Sequence, residues 1–195
     1  MDSRSHDHDC SHRFTRRTAL RIGGGVAVPA LAGCLGGGGG DAPDPVSLTG
    51  SLSCDVCGMV IGNHPGPNGQ LFYRDEHPEG HDNPARFDTL KHCFFPYKLE
   101  HEQRGWGIAA AYVTDYSSVD YTVSGDDEQY ISSHPEAAAF GPAEAMSYVV
   151  GSSVRGAMGD DFVSFSASAD AESFASEYGG DVVAYDDIDQ GLVGR

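Results

Sequence analysis

The chain has 195 residues, of which 29 are Asp or Glu and 12 are Lys or Arg, so its formal net charge is −17. This length suits one domain or two small ones. Five of the basic residues but only three acidic ones precede residue 34, so 26 acidic and 7 basic residues remain after it. That balance leaves no basic patch for a nucleic-acid backbone, and it argues against such a partner.

The acidic excess also bears on the environment of the protein. Few lysines and many carboxylates are expected in very high salt, where screening weakens the repulsion between like charges. The composition therefore favours a halophilic source, with an ordinary acidic protein as the alternative.

Residues 1–33 are predicted to be an export signal. Arg16 and Arg17 precede a weakly apolar run over residues 22–32, which is shorter than the about 20 apolar residues that span a bilayer. A basic start, a modest apolar core and small residues at its end are the parts of a signal peptide. The paired arginine favours the twin-arginine route, which exports folded proteins.

The end of this signal resembles a lipoprotein box, Leu31-Ala32-Gly33-Cys34, in which the cysteine becomes the first mature residue and carries lipid. A plain signal peptide with a chance cysteine is the alternative. Residues 36–40 are all glycine, and such a run is flexible. We therefore predict that residues 34–50 form a lipidated tether, which holds the protein on the extracytoplasmic face of the cell membrane.

Residues 51–125 are predicted to form a first unit of strand, strand, helix and strand. The strands are expected at 56–61, 71–73 and 107–114, and the helix begins near Asp88 as its N-cap. The apolar face of this helix follows the spacing i, i+3, i+4, i+7, at Leu90, Cys93, Phe94 and Tyr97. Pro96 is expected to kink the helix or end it early.

Residues 126–195 are predicted to repeat this order, with strands at 147–150, 162–165 and 181–184 and a helix over 169–178. Ser168 can cap the helix, and Gly179-Gly180 can end it. Each unit carries a methionine beside a glycine on its hairpin, Met59 and Met158. The predicted fold class is α+β, with two tandem small ββα-type units after the tether.

Cys54 and Cys57 form a C-x-x-C motif, which can oxidise to a disulfide or hold a metal ion. A redox dithiol is disfavoured because turn sequence follows the motif, not the start of a helix that would lower a thiol pKa. Structural zinc needs four ligands, and the chain has no second C-x-x-C pair. Cys93 and His92 could complete a zinc site, but Cys93 also fits core packing.

Met59 adds a thioether to this motif. On a strand, residues two apart face the same side, so Cys57 and Met59 could point toward one ion. Thiolate and thioether donors select Cu(I) over zinc or calcium. The alternative is that Met59 packs in the core. His64 fits a turn, and His77, His81, His101 and His134 are expected in solvent.

The chain resembles the NosL family, which consists of membrane-attached copper lipoproteins. The resemblance covers most of residues 54–188, and it is carried by "CDVCGMVIGNHPGPNGQ", "RFDTLKHCFFPY", "YVVGSS..GAMGDDFVSF" and "A..FA.EYGGDVVAYDDI". It implies two ββα-type units similar to the alkyl-mercury lyase fold. It also implies a copper chaperone for the maturation of nitrous oxide reductase.

The resemblance further implies a ligand set. Cys57 and Met59 would be the Cu(I)-binding pair, Met158 a third ligand from the second unit, and Cys54 either an assistant in transfer or the disulfide partner of Cys57. The implied mechanism is ligand exchange, so no catalytic residue is expected. The implied partners are nitrous oxide reductase and its ABC-type maturation transporter, with the lipid on Cys34 holding the domain near both.

Overall fold

The computed structural model describes residues 42–194. The predicted signal, Cys34 and most of the tether lie outside these residues. The described part contains both helices and strands, which agrees with the predicted α+β class. Its longest helix has 11 residues, and no helix in this part is long and apolar enough to cross a membrane.

The first sheet has four antiparallel strands. They are β1 (Gly69–Tyr73), β2 (Ala85–Phe87), β3 (Ile108–Thr114) and β6 (Phe140–Pro142), in the order β2-β1-β3-β6. All five residues of β1 are buried because β2 and β3 flank it. The buried Gln70 in this strand is satisfied by the backbone of Val46, to which it donates at 3.0 Å and from which it accepts at 2.9 Å.

The second sheet has three antiparallel strands, β7 (Ser147–Val150), β10 (Val163–Phe165) and β11 (Asp181–Ala184), in the order β10-β7-β11. Helix α2 (Ser168–Tyr178) buries Ala171 and Phe174 in the apolar cluster that also contains Val163 and Phe165. Helix α1 (Phe95–Gln103) follows β2 in the chain, and α3 (Gln190–Val193) ends the described part.

A third, small sheet joins strands from both halves of the chain. It contains β4 (Val123–Ser124), β5 (Tyr130–Ile131), β8 (Arg155–Gly156) and β9 (Gly159–Asp160), in the order β4-β5-β8-β9. Strand β6 likewise comes after residue 126 but pairs with β3 in the first sheet. The two predicted sequence units therefore exchange strands.

Most predicted elements are confirmed. Strands are present at or overlapping 71–73, 107–114, 147–150, 162–165 and 181–184. Helix α2 starts one residue before its predicted range and ends at Tyr178 as predicted, with Gly179 as its C-cap. Ser168 is the first residue of this helix and not its cap, since Ala167 occupies the N-cap position.

Two predictions in the first unit are wrong. The expected strand at 56–61 is a turn followed by a single 3₁₀ turn, Ile61–Asn63, because Gly58 has a φ of 75° and folds the chain back. The helix expected from Asp88 begins with a π-helical turn at Leu90–Phe94, which Thr89 caps. Pro96 does not end the helix: it lies in the first turn of α1, directly after the π-helical turn.

Candidate metal centre

The C-x-x-C motif lies in a tight turn that two backbone hydrogen bonds close. The amide of Cys54 donates to the carbonyl of Met59 at 2.8 Å, and the amide of Gly58 donates to the carbonyl of Cys54 at 3.0 Å. Gly58 has the left-handed backbone conformation that L residues with a side chain rarely adopt. The turn brings the Sγ atoms of Cys54 and Cys57 within 4.8 Å of each other.

Asp55 attaches this turn to strand β2. Its carboxylate accepts from the amide of Arg86 at 2.6 Å and contacts the Nε2 atom of His81 at 2.7 Å. Its own amide donates to the carbonyl of Arg86 at 2.9 Å. The turn is therefore fixed relative to the strand that leads into the next part of the site.

Strand β2 runs directly into Asp88 and the π-helical turn. Asp88 and Cys93 are both fully buried. Thr89 accepts from the amide of His92 at 2.9 Å, so it caps the turn that begins at Leu90. Because a π turn closes over five residues, it carries Cys93 back toward Asp88.

Four side chains converge where the turn of residues 54–59 meets the π-helical turn. The ligand atoms of Cys54, Cys57, Asp88 and Cys93 all lie within 4.8 Å of one another. Each of these cysteines is a free thiol. We call this group of four residues the thiol cluster, and its donors are of the kind that bind a soft or borderline metal ion.

Hydrogen bonds make the three thiols different. Cys93 donates to Cys54, which lowers the pKa of Cys54 to about 7 in spite of its burial. The same bond and burial raise the pKa of Cys93. Burial raises the pKa of Cys57 to about 12, and its thiol donates to the carboxylate of Asp88 at 3.3 and 3.4 Å. The metal-free cluster near neutral pH therefore has one readily ionised thiol, Cys54, beside two thiols that keep their protons.

Met158 approaches the thiol cluster from the second half of the chain. It lies in the two-residue turn between β8 and β9, and its Sδ atom is 4.0 Å from the Sγ atom of Cys93. Its side chain is 45% exposed, whereas Cys54 and Cys93 are buried. The arrangement therefore offers three thiols and one thioether, with the thioether on the solvent side.

The predicted site residues thus have different positions. Cys54 and Cys57 lie in the thiol cluster, and Met158 contacts its Cys93. Met59 is half-buried in the same turn and contributes its carbonyl to the turn hydrogen bond. The strand geometry from which Cys57 and Met59 were expected to face one ion is absent at these two residues.

The sequence alone does not assign two members of the cluster. It predicts that Asp88 is a helix cap, and it allows Cys93 to be either a core residue or a zinc ligand. The signal available was the segment "DTLKHC", which places a carboxylate and a thiol five residues apart, the spacing that a π turn brings together. If the same segment is predicted to be an α-helix, Cys93 falls on its apolar face and is assigned to the core.

None of the histidines within residues 42–194 belongs to the thiol cluster. His81 contacts Asp55, and His92 contacts the carbonyl of Asp160. His101 was expected in solvent but is buried, stacked on Tyr97 at 3.8 Å between ring centroids. His64 is half-buried in the turn that precedes β1.

Comparisons with known proteins agree on one family. The family model described as NosL matches residues 45–193. The copper-binding lipoprotein NosL of Stutzerimonas stutzeri is 30% identical over 158 residues, which are 77% of this chain and 68% of the relative. The crystal structure of the copper chaperone NosL from Shewanella denitrificans has a TM-score of 0.58 and 29% sequence identity, over 74% of this chain and 95% of that chain.

Proposed function

The chain belongs to the NosL family, and from this premise we propose that it is an extracytoplasmic Cu(I) chaperone. The ion would be copper cargo, held by sulfur atoms of the thiol cluster and of Met158. Cys57 is the central ligand of this proposal, Cys54 and Cys93 supply further thiols, and Met59 remains a candidate from the same turn. Such a chaperone transfers copper by ligand exchange and does not need to catalyse a reaction.

One observation carries the proposal: the thioether of Met158 lies close to the three cysteines of the thiol cluster. Met158 Sδ lies 4.0 Å from Cys93 Sγ, and Cys93 belongs to the cluster whose ligand atoms are within 4.8 Å. Zinc and calcium make little use of thioether sulfur, whereas Cu(I) prefers it together with thiolate. The position of Met158 therefore supports copper over these other ions.

The exposure of the donors suggests how copper would leave. Cys54 and Cys93 are buried, Cys57 is half-buried and Met158 is 45% exposed. A sulfur ligand of a partner can reach the ion on the side of Met158 without the fold opening. Copper would then pass through an intermediate in which donor and acceptor share ligands, with Met158 the first ligand to be exchanged.

We further propose that the protein works at the membrane. The lipobox at Cys34 and the glycine run after it support a lipid anchor with a flexible tether, and the relative from Stutzerimonas stutzeri is itself named a lipoprotein. After export by the twin-arginine route, the lipid on Cys34 would hold the domain near an ABC-type maturation transporter. The recipient that we propose is nitrous oxide reductase, in accordance with the family resemblance.

A structural zinc module is the second candidate, because one observation favours it. Three thiols and a carboxylate within 4.8 Å are four donors of types that zinc accepts in closed sites. This candidate gives Met158 no role. A thiol-disulfide reductase gains less support. A hydrogen bond from Cys93 does lower the pKa of Cys54 to about 7, but the C-x-x-C motif lies in a turn and does not open a helix.

One titration separates copper from zinc. The mature chain, residues 34–195 with Cys34→Ala, is reduced and titrated with Cu(I) against a competing chelator, and separately with Zn²⁺. Tight 1:1 Cu(I) binding that Cys57→Ser abolishes supports the chaperone. Zinc that remains bound through purification and raises the melting temperature, combined with weak Cu(I) binding, would favour the structural module.

A further inference from the structure

We infer that Asp161 is a positioning residue, which holds the hairpin that carries Met158 against the π-helical turn that carries Cys93. This inference rests on the proposed function, because it concerns how the thioether is brought to the thiols. The hairpin and the π-helical turn are about seventy residues apart in sequence, so contacts between them must fix their relative position.

The carboxylate of Asp161 makes the main contact between these two segments. Its Oδ1 atom accepts from the amide of Leu90 at 3.0 Å and from the amide of Lys91 at 2.8 Å, and also from its neighbour Phe162 at 2.8 Å. The first amides of a helix have no partner within the helix and favour a negative acceptor. Here a residue from a distant hairpin supplies this acceptor, whereas the local cap, Thr89, serves only His92.

Asp160 adds a second contact on the outer side. Its carboxylate pairs with the ammonium group of Lys91, and its carbonyl oxygen lies 2.8 Å from the Nε2 atom of His92. Asp160 and Asp161 therefore hold three successive residues of the π-helical turn, Leu90 to His92. The next residue in the chain is Cys93, whose thiol contacts Met158.

The hairpin leaves space for this carboxylate. A Cβ atom on Gly156 would lie 2.5 Å from Asp161 Oδ2, so a side chain there would displace the carboxylate. Met158 follows two residues later, at the tip of the same hairpin. The carboxylate thus lies beneath the hairpin, and its displacement would move Met158 relative to Cys93.

Asp161 is costly as a purely structural group. It is 2% exposed, and its Oδ2 atom has no hydrogen-bond partner among the residues that the structure describes. Native structures rarely leave a buried carboxylate oxygen unsatisfied, and such a group calls for an explanation. The Oδ1 atom of the same side chain offsets this cost, because it joins two amides of the π-helical turn to the Met158 hairpin.

The first test uses the metal-free mature chain. Nuclear Overhauser contacts between the Met158 methyl group and the β protons of Cys93 report the distance between the two segments directly. We expect Asp161→Ala to abolish these contacts, and Asp161→Asn, which keeps one oxygen acceptor, to retain them. The matched control is Asp170→Ala, since this carboxylate lies exposed in the first turn of α2 and makes no hydrogen bond to either segment.

The second test uses the Cu(I)-loaded chain and X-ray absorption at the copper edge. We expect Asp161→Ala to lose the same sulfur scatterer that Met158→Leu loses, and the double variant to lose no more than either single one. Cu(I) affinity should fall by the same factor in all three variants. Should Asp161→Ala not fold, Gly156→Ala, whose Cβ would displace the Asp161 carboxylate, carries both tests with a partial loss expected.

The outcomes separate this inference from the proposed function. Contacts between Met158 and Cys93 that persist in the folded variant overturn the role of Asp161, whatever the copper data show. Contacts that disappear as expected, in a chain whose copper spectrum is indifferent to Met158→Leu, uphold the positioning role and overturn Met158 as a ligand.

Discussion

The Sδ atom of Met158 lies 4.0 Å from the Sγ atom of Cys93, although 65 residues separate the two in sequence. Cys93 is fully buried and Met158 is 45% exposed, so the pair runs from the core to the surface. The thiol cluster lies on the buried side of this pair. A metal ion held between them would therefore be anchored from within and accessible from outside.

The first prediction concerns the choice of metal. Asp88→Asn should weaken Zn²⁺ binding by at least about tenfold, the effect of 1.4 kcal/mol, and should leave Cu(I) binding nearly unchanged, because Cu(I) gains little from a carboxylate. Met158→Leu should do the reverse. Parallel competition titrations of both variants with both ions measure this, and an equal loss of both ions in each variant would contradict it.

The second prediction concerns the ionisation of Cys54. Cys93 lowers the pKa of Cys54 to about 7 by donating a hydrogen bond to it, so removal of this donor should raise that pKa to about 8.5 or above, the value of a free thiol. The thiolate absorbance of the metal-free chain, with Cys34→Ala, follows this titration. Cys57 stays protonated over this range, since its pKa is about 12.

The variant for this measurement is Cys93→Ala, and Cys93→Ser is the matched control because its hydroxyl group can still donate. We expect the midpoint to rise in the alanine variant and to rise less in the serine variant. A midpoint that stays near neutrality in both variants would mean that another group stabilises the Cys54 thiolate.

The third prediction concerns the turn that holds the motif. Gly58 has a φ of 75°, and apart from its chain neighbours no residue lies within 4 Å of the position that a Cβ would take, so the cost of a side chain is conformational only. Gly58→Ala should lower the free energy of unfolding by about 1–2 kcal/mol, the cost of the left-handed conformation. Urea denaturation measures it. Gly62→Ala is the control, because this nearby glycine has an ordinary φ and room for a methyl group.

The fourth prediction concerns the pH dependence of stability. Burial raises the pKa of Asp161 to about 7, so between about pH 4 and 7 the folded chain holds a proton that the unfolded chain has released. The contribution of this group to stability therefore falls as pH rises through that window. Asp161→Asn removes the effect. The free energy of unfolding of the variant minus that of the parent chain should therefore increase from pH 4.5 to pH 7.5, measured at one fixed salt concentration.

The fifth prediction concerns the anchor. If Cys34 is lipidated, the native chain should sediment with membranes and incorporate a labelled fatty-acid precursor, whereas Cys34→Ala should be exported but released. Cys10→Ala is the control, because Cys10 lies in the leader that would be removed. A Cys34→Ala protein that remains on membranes would argue against lipid attachment at this residue.

Features that depend only on neighbouring residues could be predicted from the sequence. Cys54 and Cys57 are recognisable from their spacing, and strands such as 147–150 and 181–184 from their apolar residues between turns. The pairing of Cys93 with Met158 was not predictable, because it depends on hydrogen bonds between the segment 90–92 and Asp160–Asp161 across seventy residues. Motif spacing carries no information about such distances.

The two local errors have a common origin in exceptional backbone geometry. The strand expected at 56–61 does not form, because Gly58 takes a left-handed conformation. The side chains of Cys57 and Met59 are therefore not placed on one face by the alternation of a strand. Cys93 fitted the apolar face of an α-helix, but the segment forms a π turn that brings it to Asp88. Both departures lie at the thiol cluster, and neither follows from the ordinary periods of helix and strand.

The most direct test of the central claim compares two methionine variants in one Cu(I) competition titration of the mature chain. Met158→Leu removes the thioether beside Cys93, whereas Met146→Leu changes a methionine that is buried against Gly141. We predict that Met158→Leu weakens Cu(I) binding by about tenfold or more and that Met146→Leu leaves it unchanged. Equal Cu(I) affinity in the parent chain and in Met158→Leu would contradict the proposed copper site.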